Sequence, residues 1–571
     1  MNNTTRGRND LLAWEAHKPD NFFTADANLQ HVLRRYMGET AYAQAHDNLS
    51  RFGSESATII DGCAKVEDRV GNHPRLERWS GLGERVEQVE FHPNHDQAGH
   101  LIWESGIMAM QGEAGRNVEQ MGLYYLLAHN GEAGHMCSLA CTSGLIRALQ
   151  QAGDADLRAR FLPPLLDPNY ETKHHGAQFL TEVQGGSDVG ANAVQAIPAE
   201  DGTWRLSGEK WFCSNINADQ FLMTARATDA DGTRGLGLFL VPRLLDDGST
   251  NGFHIRRLKD KLGTRTLASA ELDFQEAVAY AVGDVKQGFK TVVEWVLNTS
   301  RLMNAVACAG AMRRVYIEAG QYACHRQAFG QSIASFPMVQ EAVADIMVEY
   351  YAGTASGFYL AHLLDQIETG RASADDQATY RMLVNINKYI TSINGSHVVH
   401  RGIEVLGGNG AIESFSILPR LYRDMIVLES WEGTHNVLCV QVMRDIARYQ
   451  VHKAFIASMT EQLNTVQAEE LMPSVVVVRD ALARMTQLLK TMQAQGNVYV
   501  QLHARRFVDL ASYVAQGALL LAEAQWEYDQ GIASVKADVI DYFVNKHLHV
   551  GYDPLTDDHY RERLERLMTA L

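Results

Sequence analysis

The sequence predicts a mostly α-helical protein with a central β-domain and an additional helical unit at its C-terminal end. Three observations carry this. An apolar period of three to four residues runs from about residue 25 to 170. Short β-like runs separated by turns follow from 176 to about 282, and the helical period returns near 288 and persists to the end. At 571 residues the chain is too long for one core, since a single domain rarely exceeds about 250 residues. The composition shifts place the boundaries at 1–175, 176–285, 286–450 and 451–571.

In the first unit, the stretch 110–151 is rich in Ala, Gly, Leu and Met, which suits a buried helix pair. The second unit shows six β-like runs, at 178–181, 204–206, 210–213, 220–225, 236–241 and 271–274. Asp201-Gly202, Asp231-Gly232 and Asp247-Gly248 turns separate them at the spacing of a small barrel or sandwich. In the third unit one long helix is expected over 289–327, apolar nearly all round and therefore central in a bundle. The fourth unit is helical with 11 basic and 15 acidic side chains, so it is not a basic arm.

A net charge of −17 with 46% apolar and 21% charged residues describes a globular chain and argues against non-specific attraction to nucleic acid or anionic membranes. The start, residues 1–10, has no apolar leader-like core, and no run of about 18 apolar residues appears. The expectation is a cytoplasmic, soluble protein without a membrane span. The seven cysteines lack disulfide or CxxC spacing and read as reduced core thiols. His135, Cys137 and Cys141 stand close in sequence but have no fourth ligand at a zinc spacing, so no metal site is expected.

Four stretches carry chemistry. Phe179-Leu180-Thr181-Glu182-Val183-Gln184-Gly185-Gly186-Ser187-Asp188 is a strand running into a Gly-Gly-Ser turn. Such a turn exposes N–H groups and a hydroxyl to a flavin edge or a phosphate, although a plain turn reads the same way. Gly208-Glu209-Lys210-Trp211-Phe212-Cys213-Ser214-Asn215 offers aromatic faces followed by a hydroxyl, which suits a flat ring, and equally an ordinary barrel strand. Arg326-Gln327-Ala328-Phe329-Gly330-Gln331 pairs an arginine suited to phosphate with an aromatic suited to a base. Glu404-Val405-Leu406-Gly407-Gly408-Asn409-Gly410 permits close backbone approach by a pyrophosphate; it precedes Arg420-Leu421-Tyr422-Arg423-Asp424 and Trp431-Glu432-Gly433-Thr434. A carboxylate at Glu432, walled by apolar surface, would have its basicity raised toward that of a general base.

In this order the stretches resemble the acyl-CoA dehydrogenase family over about residues 100–450. The resemblance implies an N-terminal α-domain, a barrel-like β-domain and a four-helix bundle, with FAD as cofactor and a homo-oligomeric dimer or tetramer. It implies that Glu432 removes the α-proton of an acyl-CoA thioester while flavin N5 takes the β-hydride, giving the trans-2-enoyl thioester. By the same resemblance, Gln178, Leu180, Thr181, Gly186 and Ser187 border the flavin, and Phe212, Cys213 and Ser214 back its ring. Arg326, Phe329, Glu404 and Gly408 match positions on the phosphate and adenine path of a neighbouring subunit's FAD. Thr434 and Asn436 would touch FAD from the catalytic loop, and Ser187, Arg301, Trp431 and Gly433 would contact substrate. An electron-transfer flavoprotein or another acceptor would reoxidise the flavin.

Several positions depart from the family pattern. Glu404 stands where a glutamine is usual, Val183 where a proline is, Phe212 and Ser214 replace a tryptophan and a threonine, and Pro337 replaces a residue that often donates to the nucleotide. Length and the wording at 210–212, 258–263 and 404–408 resemble the long, AidB-like branch. In that branch the C-terminal domain has been associated with DNA, but this acidic extension argues against DNA binding. Its one local basic pair, Arg505 and Arg506, reads as a solvated helix face. Three functions therefore compete: a dehydrogenase, a weakly active AidB-like flavoprotein that binds DNA or acyl-CoA in a regulatory or protective role, and a flavin monooxygenase or nitroalkane-oxidase relative. Glu432-Gly433-Thr434 favours the dehydrogenase. The small residues Gly134, Ser138, Ala140, Ser143 and Gly144 could leave a deep acyl slot or simply allow tight helix packing.

Overall fold

The computed structural model describes residues 3–571; Met1 and Asn2, part of the start inspected for a leader, lie outside the described residues. Helices occupy the chain from Asn3–Ala16 to Ala155–Leu165, strands dominate from Gly176–Phe179 to Ser269–Ala281, and helices return at Gly288–Thr291 and continue to Tyr560–Met568. The protein is mostly helical around a central sheet domain.

The sheet closes on itself. Its order runs Gly176–Phe179, Gln220–Arg226, Gln195–Pro198, Trp204–Ser214, Ser269–Ala281, Leu236–Pro242, and the last strand also pairs with Gln220–Arg226 along its full length. The ring is a barrel rather than a sandwich, filled by Phe179, Phe221, Phe239, Phe253 and Phe274. The runs at 204–206 and 210–213 are one continuous strand, Trp204–Ser214, broken in register near Gly208. Two strands were not anticipated. Gln195–Pro198 is too short to announce itself and ends in a proline, whereas Phe253–Leu258 does alternate, with Phe253 and Ile255 pointing inward.

A further hairpin, Arg75–Trp79 with Arg85–Glu90, interrupts the N-terminal helices. Its residues are mostly charged and exposed, so no apolar alternation marks it. Long-range bonds hold it to the barrel: Ile255 N donates to Glu87 Oε2 at 3.0 Å, and Arg243 Nη2 donates to the Glu87 carbonyl at 2.8 Å.

The expected central helix exists but is not uniform. Gly288–Thr291 passes through a π-helical stretch, Val292–Leu297, into Asn298–His325, whose residues are buried nearly all round. It packs against Pro337–Glu368 and Ala374–Leu406, and on its other side against Asn117–Ala128. The last contact requires Gly310, because a Cβ there would stand 2.4 Å from the Tyr125 carbonyl.

In the extension, Met472–Ala494 packs on Asn497–Asp529, which in turn packs on Pro337–Glu368. Asn497–Asp529 is long and apolar enough to cross a membrane, but 83% of its apolar window is buried inside the protein. Neighbouring helices thus take up its apolar surface.

Candidate active site

The loop Trp431–Thr434 joins helix Leu418–Ser430 to helix His435–Tyr449. Within it Glu432 has φ 59°, a left-handed conformation that costs a non-glycine residue of order 1 kcal/mol and persists only where surroundings enforce it. Two buried cations enforce it. Arg301 Nε donates to the Glu432 carbonyl at 3.0 Å, and Lys388 Nζ donates to the carbonyls of Glu429 at 2.8 Å and Gly433 at 3.1 Å. Arg301 is itself anchored by Nη1 to Asn385 Oδ1 at 2.8 Å.

The electrostatics follow from burial. Removal from water pushes the Glu432 carboxyl above its ordinary value, while the positive charges of Arg301 and then Lys388 pull it back in part. Burial likewise lowers Arg301 to about 10 and Lys388 to about 8. The result is a carboxylate of raised basicity beside fixed positive charge.

Glu432 faces a cavity of about 880 Å³ between barrel and bundle, within the range typical of ligand sites. From the barrel come Gln178, Leu180 and Thr181, the turn residues Gly186 and Ser187, and the strand residues Phe212 and Ser214. Alternation along Trp204–Ser214 turns Phe212 and Ser214 to the cavity and Cys213, 0% exposed, into the barrel core. From the bundle come Arg301, Trp431, Gly433, Thr434 and Asn436. Ser214 Oγ and Ser269 Oγ are 3.0 Å apart at the wall.

Besides Cys213, four predicted residues lie outside this cavity. Arg326 ends the central helix, and Phe329 sits at the tip of the hairpin formed by Gln327–Ala328 and Gln331–Ser332, 97% exposed. Glu404 forms an ion pair with Arg401 at 2.9 Å, and nothing stands within 4 Å of where a Gly408 Cβ would be. One chain brings none of the four to Glu432.

Sequence reasoning missed part of the wall. Lys261, Thr264 and Ser269, from the segment leading into the last barrel strand, line it; so do Phe289, Val293 and Leu297 around the π-helical stretch, and Tyr124 from the N-terminal unit. Burial lowers Lys261 to about 8, and its Nζ donates to the Leu267 carbonyl and to Ser269 Oγ at 2.8 and 2.9 Å. The motif residue Glu182 supports the turn from beneath. Its Oε1 accepts from the buried Lys210 ammonium at 2.8 Å and its Oε2 from Ala193 N at 2.6 Å.

Of the two readings of the small residues, an acyl slot or tight packing, the structure gives packing to most and leaves Ala140 at the cavity. On helix Ala133–Ala152 the cavity is lined by Cys137, Ala140 and Cys141, the two thiols 3.9 Å apart. The other small residues serve packing. Ser138 Oγ meets His175 Nδ1 at 3.0 Å, Gln111 Nε2 donates to Ser143 Oγ at 2.6 Å, and a Cβ on Gly144 would strike the Gln178 amide at 2.1 Å. Arg505 and Arg506 are both exposed, in keeping with a solvated helix face, but Arg505 also makes contacts the sequence did not announce: its Nε donates to Tyr389 Oη at 3.1 Å and its Nη2 lies 3.3 Å from His435 Nδ1, beside the Glu432 loop.

Known proteins match the chain over most of its length. Residues 14–172 match the adaptive response protein AidB N-terminal domain, 177–277 the acyl-CoA dehydrogenase middle domain, 286–447 the acyl-CoA dehydrogenase C-terminal domain, and 450–550 the acyl-CoA dehydrogenase 11 C-terminal domain-like family. Acyl-CoA dehydrogenase family member 11 of Caenorhabditis elegans is 30% identical over 529 residues, covering 89% of this chain and 84% of its own. The chain belongs to the acyl-CoA dehydrogenase family. Within that family it falls in the long, AidB-like branch: the putative acyl-CoA dehydrogenase AidB of Escherichia coli is 32% identical over 65% of this chain and 69% of its own. Among solved structures, C. elegans ACDH-11 in complex with C11-CoA superposes with a TM-score of 0.86 at 29% identity, covering 96% of this chain and 94% of that one. The Bd2924 apo-form does so at 0.81 and 31%, covering 88% and 98%. An acyl-CoA dehydrogenase is an oxidoreductase, and a carboxylate of raised basicity at an apolar cavity is what such an enzyme needs for proton removal.

Proposed function

We propose that the protein catalyses FAD-dependent α,β-dehydrogenation of an acyl-CoA, with Glu432 removing the α-proton. One observation carries the reading. Arg301 and Lys388 grip the main chain on both sides of Glu432 and hold its carboxyl, in a strained backbone, at the wall of the cavity. Holding a base rigidly in a water-poor site is how a weakly acidic carbon is deprotonated, because the geometry is set before the reaction begins.

The cofactor is FAD, and the cavity's donor set fits a flavin. The hydroxyls of Thr181, Ser187 and Ser214 line one wall beside the flat ring of Phe212, which together offer hydrogen-bond partners and an aromatic face. When bound, FAD supplies the acceptor for the β-hydride. Gln178, Leu180 and Gly186 would border it, Cys213 would back it from within the barrel core, and Thr434 and Asn436 would reach it from the catalytic loop. Trp431, Gly433, Ser187 and Arg301 would contact the thioester, and the Glu432 carboxyl would hold the proton taken from the α-carbon. The C11-CoA bound by ACDH-11 supports an acyl-CoA of medium to long chain as substrate.

Arg326, Phe329, Glu404 and Gly408 belong to a second chain's cofactor in this reading, and a bare aromatic at a hairpin tip supports a homo-oligomer, dimer or tetramer. An electron-transfer flavoprotein or a comparable cytoplasmic acceptor would complete the cycle.

The test is anaerobic bleaching of the oxidised flavin by acyl-CoAs of several lengths, with wild type and Glu432→Gln. Bleaching by the wild type and its loss in the variant, with flavin retained, is expected. Failure of every thioester to bleach the wild type overturns the dehydrogenase reading and favours the AidB-like binder. DNA retardation at ~0.15 M salt then asks whether nucleic acid is its ligand.

A further inference from the structure

A second group of ionisable side chains lies away from the cavity, beneath the N-terminus of helix Ala133–Ala152. Glu67 ends helix Asp61–Glu67, His95 lies in helix Pro93–Glu104, and Glu132 is the N-cap of helix Ala133–Ala152. They are 3%, 7% and 0% exposed, and one ligand atom from each lies within 4.8 Å of the others. We propose that Glu67, His95 and Glu132 form a binding site for a divalent transition-metal ion of the zinc class, which ties three helices together behind the active-site wall.

Two carboxylates buried side by side repel unless a cation or a proton lies between them. The Arg420 guanidinium does not fill this role: its Nη2 donates to the Asn130 carbonyl at 2.7 Å and stands 3.9 Å from Asp61. The second, independent observation is an orphan. Glu67 Oε2 lies 3.4 Å from His95 Nδ1, but Glu67 Oε1 is buried without any hydrogen-bond partner. A metal ion bound there would satisfy that oxygen directly.

The other two ligands are prepared for coordination. Glu132 accepts main-chain N–H groups from Gly134 at 2.9 Å, His135 at 2.8 Å and Met136 at 3.3 Å. A carboxylate has about four acceptor positions, so one remains. The His95 ring is clamped between Phe91 and His135, stacked at centroid distances of 4.2 and 3.9 Å, which fixes the direction of its nitrogens. Gly134 keeps the gap open, since a Cβ there would stand 2.8 Å from Glu132 Oε1 and 3.1 Å from His95 Cε1.

One imidazole nitrogen and two carboxylate oxygens suit Zn²⁺, Co²⁺ or Mn²⁺ better than the oxygen-only preference of Ca²⁺ or the thiolate preference of Cu(I). Sequence spacing hides the set, because each ligand comes from a different helix. Helix Ala133–Ala152 then carries the consequence, as its Ala140 and Cys141 line the cavity about two turns further on.

The experiment is titration of chelator-treated full-length protein with Co²⁺, read by visible d–d absorption and by calorimetry, followed by displacement with Zn²⁺. One ion per chain is expected, with a rise in melting temperature. Glu67→Gln with His95→Asn should lower affinity by about 100-fold or more while flavin content is kept. Absence of d–d bands in the wild type, or bands of equal affinity in the double variant, overturns the proposal. Should the double variant not fold, X-ray absorption of the wild-type Co²⁺ complex decides: one imidazole with oxygen ligands supports the site, and several imidazoles, as from surface histidines, overturn it.

Discussion

Arg301 donates through Nε to the main-chain carbonyl of Glu432 at 3.0 Å, while its charge lowers the pKa of the carboxyl of that same residue. One side chain therefore both positions the base and limits its basicity. The guanidinium is held to about 10 by burial and stays charged across the working range.

Replacing Glu432 by Gln removes the proposed proton acceptor but little volume. The expected loss in the rate of flavin reduction is about 10²–10⁴-fold, with flavin binding intact. Stopped-flow absorbance under anaerobic conditions measures it.

The pH profile has a predicted sign. In the proposed reaction Glu432 acts in its ionised form, so activity should rise as pH increases through its pKa, which burial places above the ordinary carboxylate value. Removing either cation removes stabilisation of the anion and moves that acid limb to higher pH. Arg301→Met should shift it more than Lys388→Met, since Arg301 is the larger of the two influences. A limb unchanged in both variants would show that another group sets it.

Asp424 has the opposite role, in stability. It is buried, accepts Thr264 N at 2.5 Å, and is pushed up to about 7 by loss of water. Its folded pKa lies above the unfolded one. Its contribution is therefore fully present below about pH 4 and is lost as pH rises through about 7. Asp424→Asn should flatten the fall in unfolding free energy between about pH 4 and 7 and stabilise the protein at pH 8 by about 1–3 kcal/mol, measured by denaturant titration.

The extension reaches the catalytic loop through Arg505, which bonds Tyr389 Oη; Tyr389 in turn donates to Asp509 Oδ1 at 2.6 Å. Arg505→Ala frees the start of helix His435–Tyr449, next to Thr434. A fall in kcat of about 3–10-fold at unchanged flavin content is expected, since small displacements near a reacting centre slow it. Steady-state kinetics that match the wild type would confine the contact to a packing role.

Ala140 sets room in the cavity. Ala140→Leu should lower kcat/KM for the longest acyl-CoAs that the wild type accepts by roughly 10–200-fold and spare short ones, because added bulk excludes methylenes. A chain-length series measures the change.

The motif text made the base loop and most of the barrel-side wall legible, since those residues lie close together in sequence. Legibility failed where a side chain's direction depended on its neighbours. Cys213 turns away from the cavity that Phe212 and Ser214 face, and Gly144 makes room for the Gln178 amide rather than for a ligand. Arg505 is exposed as its sequence suggests, yet nothing near it in sequence hints at its bond to Tyr389, 116 residues away.

By itself the sequence determined local matters: which segments are helical or extended, where the turns fall, and that Glu432 stands between an aromatic and a glycine. Period and turn chemistry are properties of neighbouring residues and need no partner. The tertiary structure alone decided that the sheet closes into a barrel, that Lys388 meets the carbonyl of Gly433, and that Glu67, His95 and Glu132 converge. Each of these joins residues far apart along the chain, and both their approach and their removal from water depend on which helices and strands cover them.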